Sequence, residues 1–209
     1  MSKVDGVVVW MSAGNSYFKE EVIMKTLELV SKKFSKIVIM APDEPAEHTF
    51  KALGLYENNF KRKARLNANL LQNRAKRVVE KLVKNRINND FKIVEWIDEI
   101  IPNKDYQTQL KLVNDLYEHN PLFRKDARDT TKAVIINKIS KDVNIEKAID
   151  EAVNYLLEEL AFVIASPKIY GTVKMTYVYH HNWLIYENLI SGKYDSQKRP
   201  ELAFMLIEV

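Results

Sequence analysis

The 209-residue chain contains no cysteine, which excludes disulfides, thiolate metal sites and thiol nucleophiles. It has only five glycines and six prolines, and they form neither a linker nor a repeat, which favours a single domain. No apolar run approaches the roughly 18 residues of a membrane helix, and the run that follows Asp5 is too short for a signal peptide. We therefore expect a cytoplasmic protein that does not bind a membrane.

Several common active-site motifs are also missing. The chain has no G-x-S-x-G nucleophile elbow, no G-x-G-x-x-G loop and no G-K-[ST] loop. We therefore predict no nucleotide cofactor and no use of ATP. His180 and His181 are adjacent, so as strand residues they would point to opposite faces, and no third ligand is evident. We predict no metal site.

Apolar runs alternate with amphipathic segments along the chain, which predicts an α/β fold with a mostly parallel sheet covered on both faces. Strands are predicted at residues 4–11, 36–41, 90–96, 172–179 and 202–209, and helices at 16–34, 45–53, 58–88, 105–119, 122–139, 145–164 and 182–192. Ligands of such sheets bind at the carboxyl ends of the strands. Ser12 and Tyr179 both lie at such ends, so we expect them at one edge.

Ser12 lies in the stretch WMSAGNSYF, where the first strand gives way to a helix. A serine at this junction is often a turn or cap residue. It could instead be a nucleophile whose developing oxyanion faces the N-terminus of the following helix. The residues near Ser12 leave both interpretations open.

One segment makes the protein basic. Residues 61–86 contain ten basic residues and one acid, Glu80, whereas the whole chain has a net charge of only +4. A solvated helix face normally interleaves glutamates with its lysines and arginines, and this one does not. The imbalance favours a polyanion such as a nucleic-acid backbone, with phosphate contacts rather than base stacking, because no aromatic residue is interleaved.

Tyr155 and Glu159 are four residues apart in NYLLEEL and share one face of a predicted helix, with Glu158 at its edge. A tyrosine and a carboxylate that face a pocket could hold an ammonium group. The same spacing also occurs in an ordinary amphipathic helix with a core tyrosine and surface glutamates.

Together these segments resemble the cyclodipeptide synthases. Residues 12–18, SAGNSYF, place the family's nucleophilic serine on Ser12, and the basic segment resembles its tRNA-binding helix. Tyr155-x-x-x-Glu159 and the strand-end Tyr179 match two further family motifs, so the likeness spans residues 1–209. It implies one Rossmann-like domain, similar to the catalytic domains of class I tyrosyl- and tryptophanyl-tRNA synthetases but without their ATP signatures.

The resemblance implies an ATP-independent aminoacyltransferase that takes two aminoacyl-tRNAs as substrates. Ser12 would carry an aminoacyl and then a dipeptidyl ester, and cyclisation would release a diketopiperazine. Tyr155 and Glu159 would bind the first amino group, Glu159 would also move protons, and Tyr179 would relay a proton. We expect a monomer without a cofactor.

The resemblance also implies further contacts. Asn15 marks one of the family's two subgroups, in which the residue after the strand-end tyrosine is commonly Gln rather than the His180 found here. Trp10 would line the first substrate pocket and shrink it, or stack on a planar or cationic side chain. The remaining implied substrate-binding residues are Gly14, Tyr106, Asn137, Lys138, His180 and Asn182. The implied tRNA-binding residues, in a helix at about 58–88, are Lys61, Arg62, Lys63, Arg65, Arg74, Lys76, Arg77, Lys81 and Lys84.

Lys138 could attract an acidic side chain, or it could face solvent or tRNA. Three other functions remain open: a serine-dependent aminoacyl-tRNA deacylase, a tRNA-binding module with an inert pocket, and a class I synthetase. The absence of a recognisable Ser-His-Asp spacing argues against the first.

Overall fold

A central sheet of five parallel strands organises the protein. The computed structural model describes residues 5–140 and 142–209, and Val4, where the first predicted strand begins, lies outside them. The strands are β1 (Gly6–Trp10), β2 (Lys36–Met40), β3 (Asp90–Val94), β4 (Met175–Tyr179) and β5 (Leu202–Leu206). Their order is β3-β2-β1-β4-β5, and every pairing is parallel. The predicted α/β class with a parallel sheet is confirmed.

Helices cover both faces of this sheet. They are α1 (Glu20–Ser31), α2 (Glu44–Ala52), α3 (Glu57–Lys84), α4 (Lys104–His119), α5 (Pro121–Ile135), α6 (Ile145–Tyr170) and α7 (Leu184–Ile190). Successive strand residues point to opposite faces, so Val7 and Val9 pack in the core under α1 and α3, whereas Val8 and Trp10 pack in the core under α4 to α7. Both cores are fully buried along β1, which explains its uninterrupted apolar sequence.

The buried face of α3 differs from the one that the leucine pattern predicts. The apolar spacing within residues 58–88 predicts one buried side that contains Leu66, Leu70, Val78, Leu82 and Val83. Val78 and Leu82 are buried, but Leu66, Leu70 and Val83 are 61%, 47% and 49% exposed. The helix buries Phe60, Ala64, Ala68, Leu71, Ala75, Val78 and Leu82. These residues recur every three or four positions, and the alanines let the helix approach its neighbours closely.

Most element boundaries differ from the predictions by a few residues, and two of the differences change the local structure. The third strand ends at Val94, and a π-helical turn, Trp96–Ile100, follows it. Helix α6 continues through Pro167 to Tyr170 and ends at Gly171, whose φ of 63° gives a left-handed cap. The apolar face of α6 stays buried over this extra turn, so packing maintains the helix past a residue that usually ends one.

The strand order reverses between β1 and β4, which are neighbours in the sheet although most of the chain separates them. A crevice outside the carboxyl ends of the strands forms at such a switch point, and ligands of α/β sheets bind there. Ser12 follows β1 and Tyr179 ends β4, so the fold brings these two residues to the crevice. Among the described residues, no helix is both long and apolar enough to cross a bilayer.

Candidate active site

Ser12 meets Tyr179 at the switch point. The Oγ atom of Ser12 lies 2.8 Å from the hydroxyl oxygen of Tyr179 and forms a hydrogen bond with it. Helix α1 begins only at Glu20, and its N-cap residue is Lys19, so Ser12 does not cap the helix. The interpretation of Ser12 as a helix cap is therefore wrong, because a loop separates it from the helix. The partner of the serine comes from β4 instead.

The loop after β1 folds into a tight turn around Ser12. The backbone N–H of Asn15 donates to the Ser12 carbonyl at 3.1 Å, and the Asn15 side chain accepts from the N–H of Tyr17 at 3.0 Å. Gly14 has a φ of 79°, and a Cβ there would lie 3.3 Å from the Phe50 ring. Both constraints favour glycine at this position. The turn therefore holds Ser12 just beyond the carboxyl end of β1.

Tyr155 and Glu159 approach the same point from α6. The indole Nε1–H of Trp10 donates to the Tyr155 hydroxyl at 3.2 Å, and Tyr155 also interacts with Ser12. Burial raises the pKa of Glu159 to about 8, opposed by a hydrogen bond with Tyr186. The carboxyl of Glu159 is therefore mostly protonated at neutral pH, and its ionised fraction reaches about half near pH 8.

One cavity of about 110 Å³ is lined by the side chains of Ser12, Tyr155, Glu159 and Tyr179. Contributions come from the loop after β1, from α2, α5 and α6, and from the region between β4 and α7. The lining residues are Ser12, Ala13, Asn15, Ala46, Thr49, Thr130, Thr131, Val134, Ile135, Lys138, Ala152, Tyr155, Leu156, Glu159, Tyr179, Trp183 and Tyr186. A serine hydroxyl, two phenols and a carboxyl with a raised pKa thus line one cavity.

Tyr179 and His180 are both neutral at physiological pH. Burial raises the pKa of Tyr179 to about 12, against the effect of its hydrogen bond with Ser12. Burial, with the neighbouring His181, lowers the pKa of His180 to about 4. His180 Nε2 lies 3.3 Å from Asn15 Nδ2, and its ring stacks on Tyr17 at 4.1 Å between centroids.

The two histidines do not point to opposite faces, as a continuing strand would require. Strand β4 ends at Tyr179, and the rings of His180 and His181 lie 4.5 Å apart between centroids. His180 and Lys138 line a wider groove beside the cavity, which also includes Asn15, Tyr179 and Trp183. In the part of the chain that the structure describes, no three His, Asp or Glu side chains are close enough to bind a metal ion.

Several sequence-predicted contacts lie away from the cavity. Trp10 is only 1% exposed and packs against Trp96 and Phe162 behind Tyr155, so it does not line the cavity itself. Tyr106 is likewise buried, with its ring against Trp96. Both residues belong to the core between the sheet and α6, which the consecutive apolar residues of β1 do not reveal.

Three other predicted substrate contacts are exposed to solvent. Asn137 and Gly14 do not line the cavity, and the Asn182 side chain donates to Glu187 at 2.7 Å. Of the described residues between α5 and α6, only Lys138 lines the cavity. The cavity wall therefore includes Lys138 but not Gly14, Asn137 or Asn182.

The predicted tRNA-binding residues divide into two groups along α3. In the second half, Arg74 donates to the Phe18 carbonyl at 2.9 Å, while Arg77 and Lys81 pair with Glu20 at 3.0 and 2.5 Å. Arg74 therefore joins α3 to the loop before α1, and Arg77 and Lys81 join it to α1. In the first half, Lys63 lies 5.3 Å from the Phe50 ring centroid, and Arg62 and Arg65 are exposed. Lys61, Lys76 and Lys84 are also exposed.

A polar cluster between α2 and α6 has no counterpart in the sequence prediction. His48 Nδ1 lies 2.8 Å from Glu151, and its Nε2 lies 3.5 Å from Glu158. Burial opposes the charge of His48, but hydrogen bonds to Glu158 and Glu151 raise its pKa overall. Lys51 joins the cluster at 2.7 Å from Glu151. His48 is distant in the chain from Glu151 and Glu158, so no local pattern predicts the cluster. The only signal in the sequence is the adjacent pair Glu158 and Glu159, of which only Glu159 has an implied role.

The protein is similar to known enzymes along its whole length. The family model described as cyclodipeptide synthase matches residues 1–209. A cyclo(L-leucyl-L-leucyl) synthase of Bacillus subtilis (strain 168) is 24% identical over 208 residues, which cover 97% of this chain and 82% of the relative.

Solved structures share the fold. A Mycobacterium tuberculosis protein described as demonstrating that cyclodipeptide synthetases are related to type I tRNA synthetases matches with a TM-score of 0.80 and 17% identity, over 96% of this chain and 84% of that one. A cyclodipeptide synthase of Candidatus Glomeribacter gigasporarum bound to Phe-tRNAPhe matches with a TM-score of 0.70 and 13% identity, over 98% and 88%. Because the family model spans every residue of the sequence, this chain belongs to the cyclodipeptide synthase family.

Proposed function

We propose that this chain joins the aminoacyl groups of two aminoacyl-tRNAs into a 2,5-diketopiperazine, through aminoacyl and dipeptidyl esters of Ser12. The carrying observation is the 2.8 Å contact between Ser12 Oγ and the Tyr179 hydroxyl, in a cavity that Tyr155 and Glu159 also line. The Bacillus subtilis relative is named for cyclo(L-leucyl-L-leucyl), and the Glomeribacter structure contains Phe-tRNAPhe, which supports both the product class and the donor.

In the first step, Ser12 Oγ attacks the ester carbonyl of an aminoacyl-tRNA. The bond between that carbonyl carbon and the 3′ oxygen of the tRNA breaks, and the serine proton ends on the departing oxygen. Tyr179 is placed to pass this proton, because a neutral phenol both accepts and donates. Its pKa, raised to about 12 by burial, keeps the phenol neutral through the step.

In the second step, the amine of the aminoacyl-enzyme attacks the ester of a second aminoacyl-tRNA. An amide forms, a second tRNA 3′-hydroxyl leaves, and the dipeptide remains on Ser12. Only a neutral amine is nucleophilic, so a base must take the ammonium proton. Glu159 lines the cavity with Tyr155, and its raised pKa of about 8 lies near that of an α-amino group. Proton exchange between the two groups is therefore nearly balanced.

In the last step, the terminal amine of the dipeptide attacks the Ser12 ester. The ring closes as a second amide, the bond to Oγ breaks, and the oxygen regains its proton through Tyr179. Exchange of one ester for another is nearly neutral, and conversion of an ester to an amide is downhill. The sequence of steps therefore requires neither ATP nor a cofactor, and the enzyme should show no ATP–pyrophosphate exchange.

The test is mass spectrometry of the medium from cells that express the wild type, Ser12→Ala or Ser16→Ala. Ser16 is an exposed serine of the same loop and serves as the matched control. We expect a new diketopiperazine mass with the wild type and the control, and none with Ser12→Ala. Its absence from soluble wild type that binds charged tRNA would refute the proposal. Loss of aminoacyl ester without a product would then identify a deacylase.

The exposed cations of α3 are proposed to bind the tRNA backbone. Arg62 and Arg65 face solvent, whereas Arg77 is engaged with Glu20. The Arg62→Ala/Arg65→Ala variant should weaken tRNA binding and lower the slope of log affinity against log salt by about one per lost phosphate contact. Arg77→Ala is the control and should affect binding less. Equal losses in the two variants would show that the first half of α3 is not the contact surface.

A further inference from the structure

We propose that a groove at the start of α3 binds the single-stranded 3′ end of an aminoacyl-tRNA, and that the ring of Tyr56 stacks on one of its bases. The inference rests on the proposed function, because it names the part of the tRNA that this surface contacts. Three features carry it: an exposed aromatic ring, a groove with cations in its lining, and the closeness of that groove to the loop of Ser12.

Tyr56 is an exposed aromatic residue beside the basic segment. Its side chain is 85% exposed, which is more than any other large hydrophobic residue that the structure describes. Its main chain is held as the N-cap of α3, where its carbonyl accepts from the N–H groups of Asn59 and Phe60 at 2.8 and 3.0 Å. Residues 61–86 contain no aromatic residue, but the fold places this ring at the start of their helix. A ring left in water adds little to the core, so its removal should not affect folding.

The ring lines an open groove that combines apolar and cationic side chains. The groove is lined by Gly54, Leu55, Tyr56, Asn59, Arg62, Lys63, Leu66 and Asn67. Arg62 and Leu66 are four residues apart and share one face of the helix, and Leu66 is 61% exposed. Single-stranded nucleic acid presents base faces and phosphates together, and proteins bind it with aromatic rings beside cations. The composition of the groove matches that ligand.

The charge of the groove favours RNA over a protein partner. Arg62 and Lys63 are exposed there, whereas Arg77 and Lys81, farther along α3, pair with Glu20. An apolar protein surface, or a second copy of this chain, would have to cover the two exposed cations, which is costly without paired charges. Phosphates of RNA would neutralise them and release counterions.

The groove lies beside the loop that carries Ser12. Asn67 lines the groove, and its Oδ1 lies 3.9 Å from the position of a Cβ added to Gly14. Leu55, also in the groove, packs against the same buried cluster as Ala13 of that loop. The ester of an aminoacyl-tRNA is carried by its last nucleotide, so RNA in this groove must belong to the 3′ end when the ester reaches the serine. That end is single-stranded, and its bases are free to stack on a protein ring.

The experiment uses two uncharged RNA hairpins that share one acceptor-stem duplex. The tailed hairpin ends in the unpaired 3′ nucleotides of a tRNA, and the blunt hairpin lacks them. Fluorescence anisotropy measures the affinity of the full-length protein for each hairpin at several salt concentrations. We expect the wild type to bind the tailed hairpin at least about tenfold more tightly than the blunt one.

Two variants assign this preference to the ring. Tyr56→Ala should weaken binding of the tailed hairpin about tenfold and change binding of the blunt hairpin by less than about twofold. Tyr56→Phe keeps the ring and should bind both hairpins as the wild type does. Because stacking neutralises no phosphate, Tyr56→Ala should leave the slope of log affinity against log salt unchanged. Arg62→Ala should instead lower that slope by about one.

A matched pair of apolar variants tests the position of the groove. Leu66 and Val83 are 61% and 49% exposed on the same helix, but they lie roughly 25 Å apart along its axis. Leu66→Ala should weaken binding of the tailed hairpin about threefold, because it removes apolar surface from the groove. Val83→Ala should leave it unchanged. Equal losses in these two variants would contradict a local groove.

The outcomes separate this inference from the proposed function. Equal losses of Tyr56→Ala on both hairpins, or no loss on either, would overturn the inference, and a diketopiperazine from the wild type would still support the synthase activity. A changed oligomeric state of Tyr56→Ala in sedimentation, with unchanged RNA affinity, would show that the ring contacts a second copy instead. A wild type that forms no product and binds neither hairpin would overturn both proposals.

Discussion

Glu158 and Glu159 are neighbours on α6, yet they lie in opposite electrostatic environments. Glu158 faces α2, where His48 Nε2 approaches it at 3.5 Å and Glu151 binds the other side of the same ring. Glu159 faces the cavity, where burial and a hydrogen bond with the phenol of Tyr186, rather than a cation, set its pKa. Consecutive positions of one helix therefore carry a carboxyl in a polar cluster and a buried carboxyl with a raised pKa.

The comparison shows how the fold separates these two roles. A carboxyl that a histidine joins to a second carboxyl contributes to the packing of two helices, whereas a buried carboxyl without a cationic partner has a raised pKa. Because consecutive helical residues point about 100° apart, a single step along α6 is enough to move from one environment to the other. The contacts around each carboxyl, rather than residue type, decide which one can perform chemistry.

The largest expected effect comes from Glu159→Gln, which keeps the shape of the side chain and removes its base. We expect diketopiperazine formation at pH 8 to fall by roughly 10² to 10⁴, the usual contribution of a general base. Glu158→Gln is the matched control and should retain activity within about twofold. The measurement is the initial rate of product formation from purified aminoacyl-tRNAs. Equal losses in the two variants would remove the distinction between the two positions.

A second prediction concerns stability against pH. Between its ordinary pKa of 4.5 and the value of about 8 in the folded protein, Glu159 keeps a proton that the unfolded chain has lost. The free energy of unfolding of the wild type therefore falls as pH rises through this range, relative to Glu159→Gln. We expect the difference between the two proteins to change by roughly 4 kcal/mol between pH 5 and pH 9, because each unit of pKa shift corresponds to about 1.4 kcal/mol.

Urea unfolding at pH 5, 7 and 9 measures this change. The two stability curves should lie closest at pH 5 and diverge toward pH 9, with the glutamine variant the more stable. Parallel curves would show that the pKa of Glu159 is not raised. The assignment of Glu159 as a base that acts near pH 8 would then be wrong.

The central part of the site follows from the sequence because it depends on topology. Parallel strands end at one edge, so a serine after the first strand and a tyrosine at the end of the fourth are expected to meet there. Helical spacing likewise predicts that Tyr155 and Glu159 face the same way. These inferences need only the identity of the elements, and the structure does bring Ser12, Tyr155, Glu159 and Tyr179 to one cavity.

The surroundings of the site depend on facts that no local pattern contains. Every residue of β1 is buried, so the sequence does not reveal that Trp10 points toward α6. Three alanines form much of the buried face of α3, and they carry less weight in a hydrophobic pattern than the exposed Leu66 and Leu70. The pairing of His48 with Glu158 joins residues that are far apart in the chain, so only the packing of α2 on α6 reveals it.

The smallest predicted effect concerns the face of α6 that packs against α2. His48→Gln removes the ring that joins Glu151 and Glu158, and it should destabilise the protein by about 1 to 2 kcal/mol at pH 6. Hydrogen bonds raise the pKa of His48, so this contribution is complete below the ordinary value of 6.5 and declines as pH rises through the raised value. The deficit measured by urea unfolding should therefore be smaller at pH 9 than at pH 6, while the rate of product formation at pH 8 stays within about twofold of the wild type. A large loss of activity in a stably folded variant would show that His48 takes part in the reaction. The face of α6 that packs against α2 would then not be purely structural.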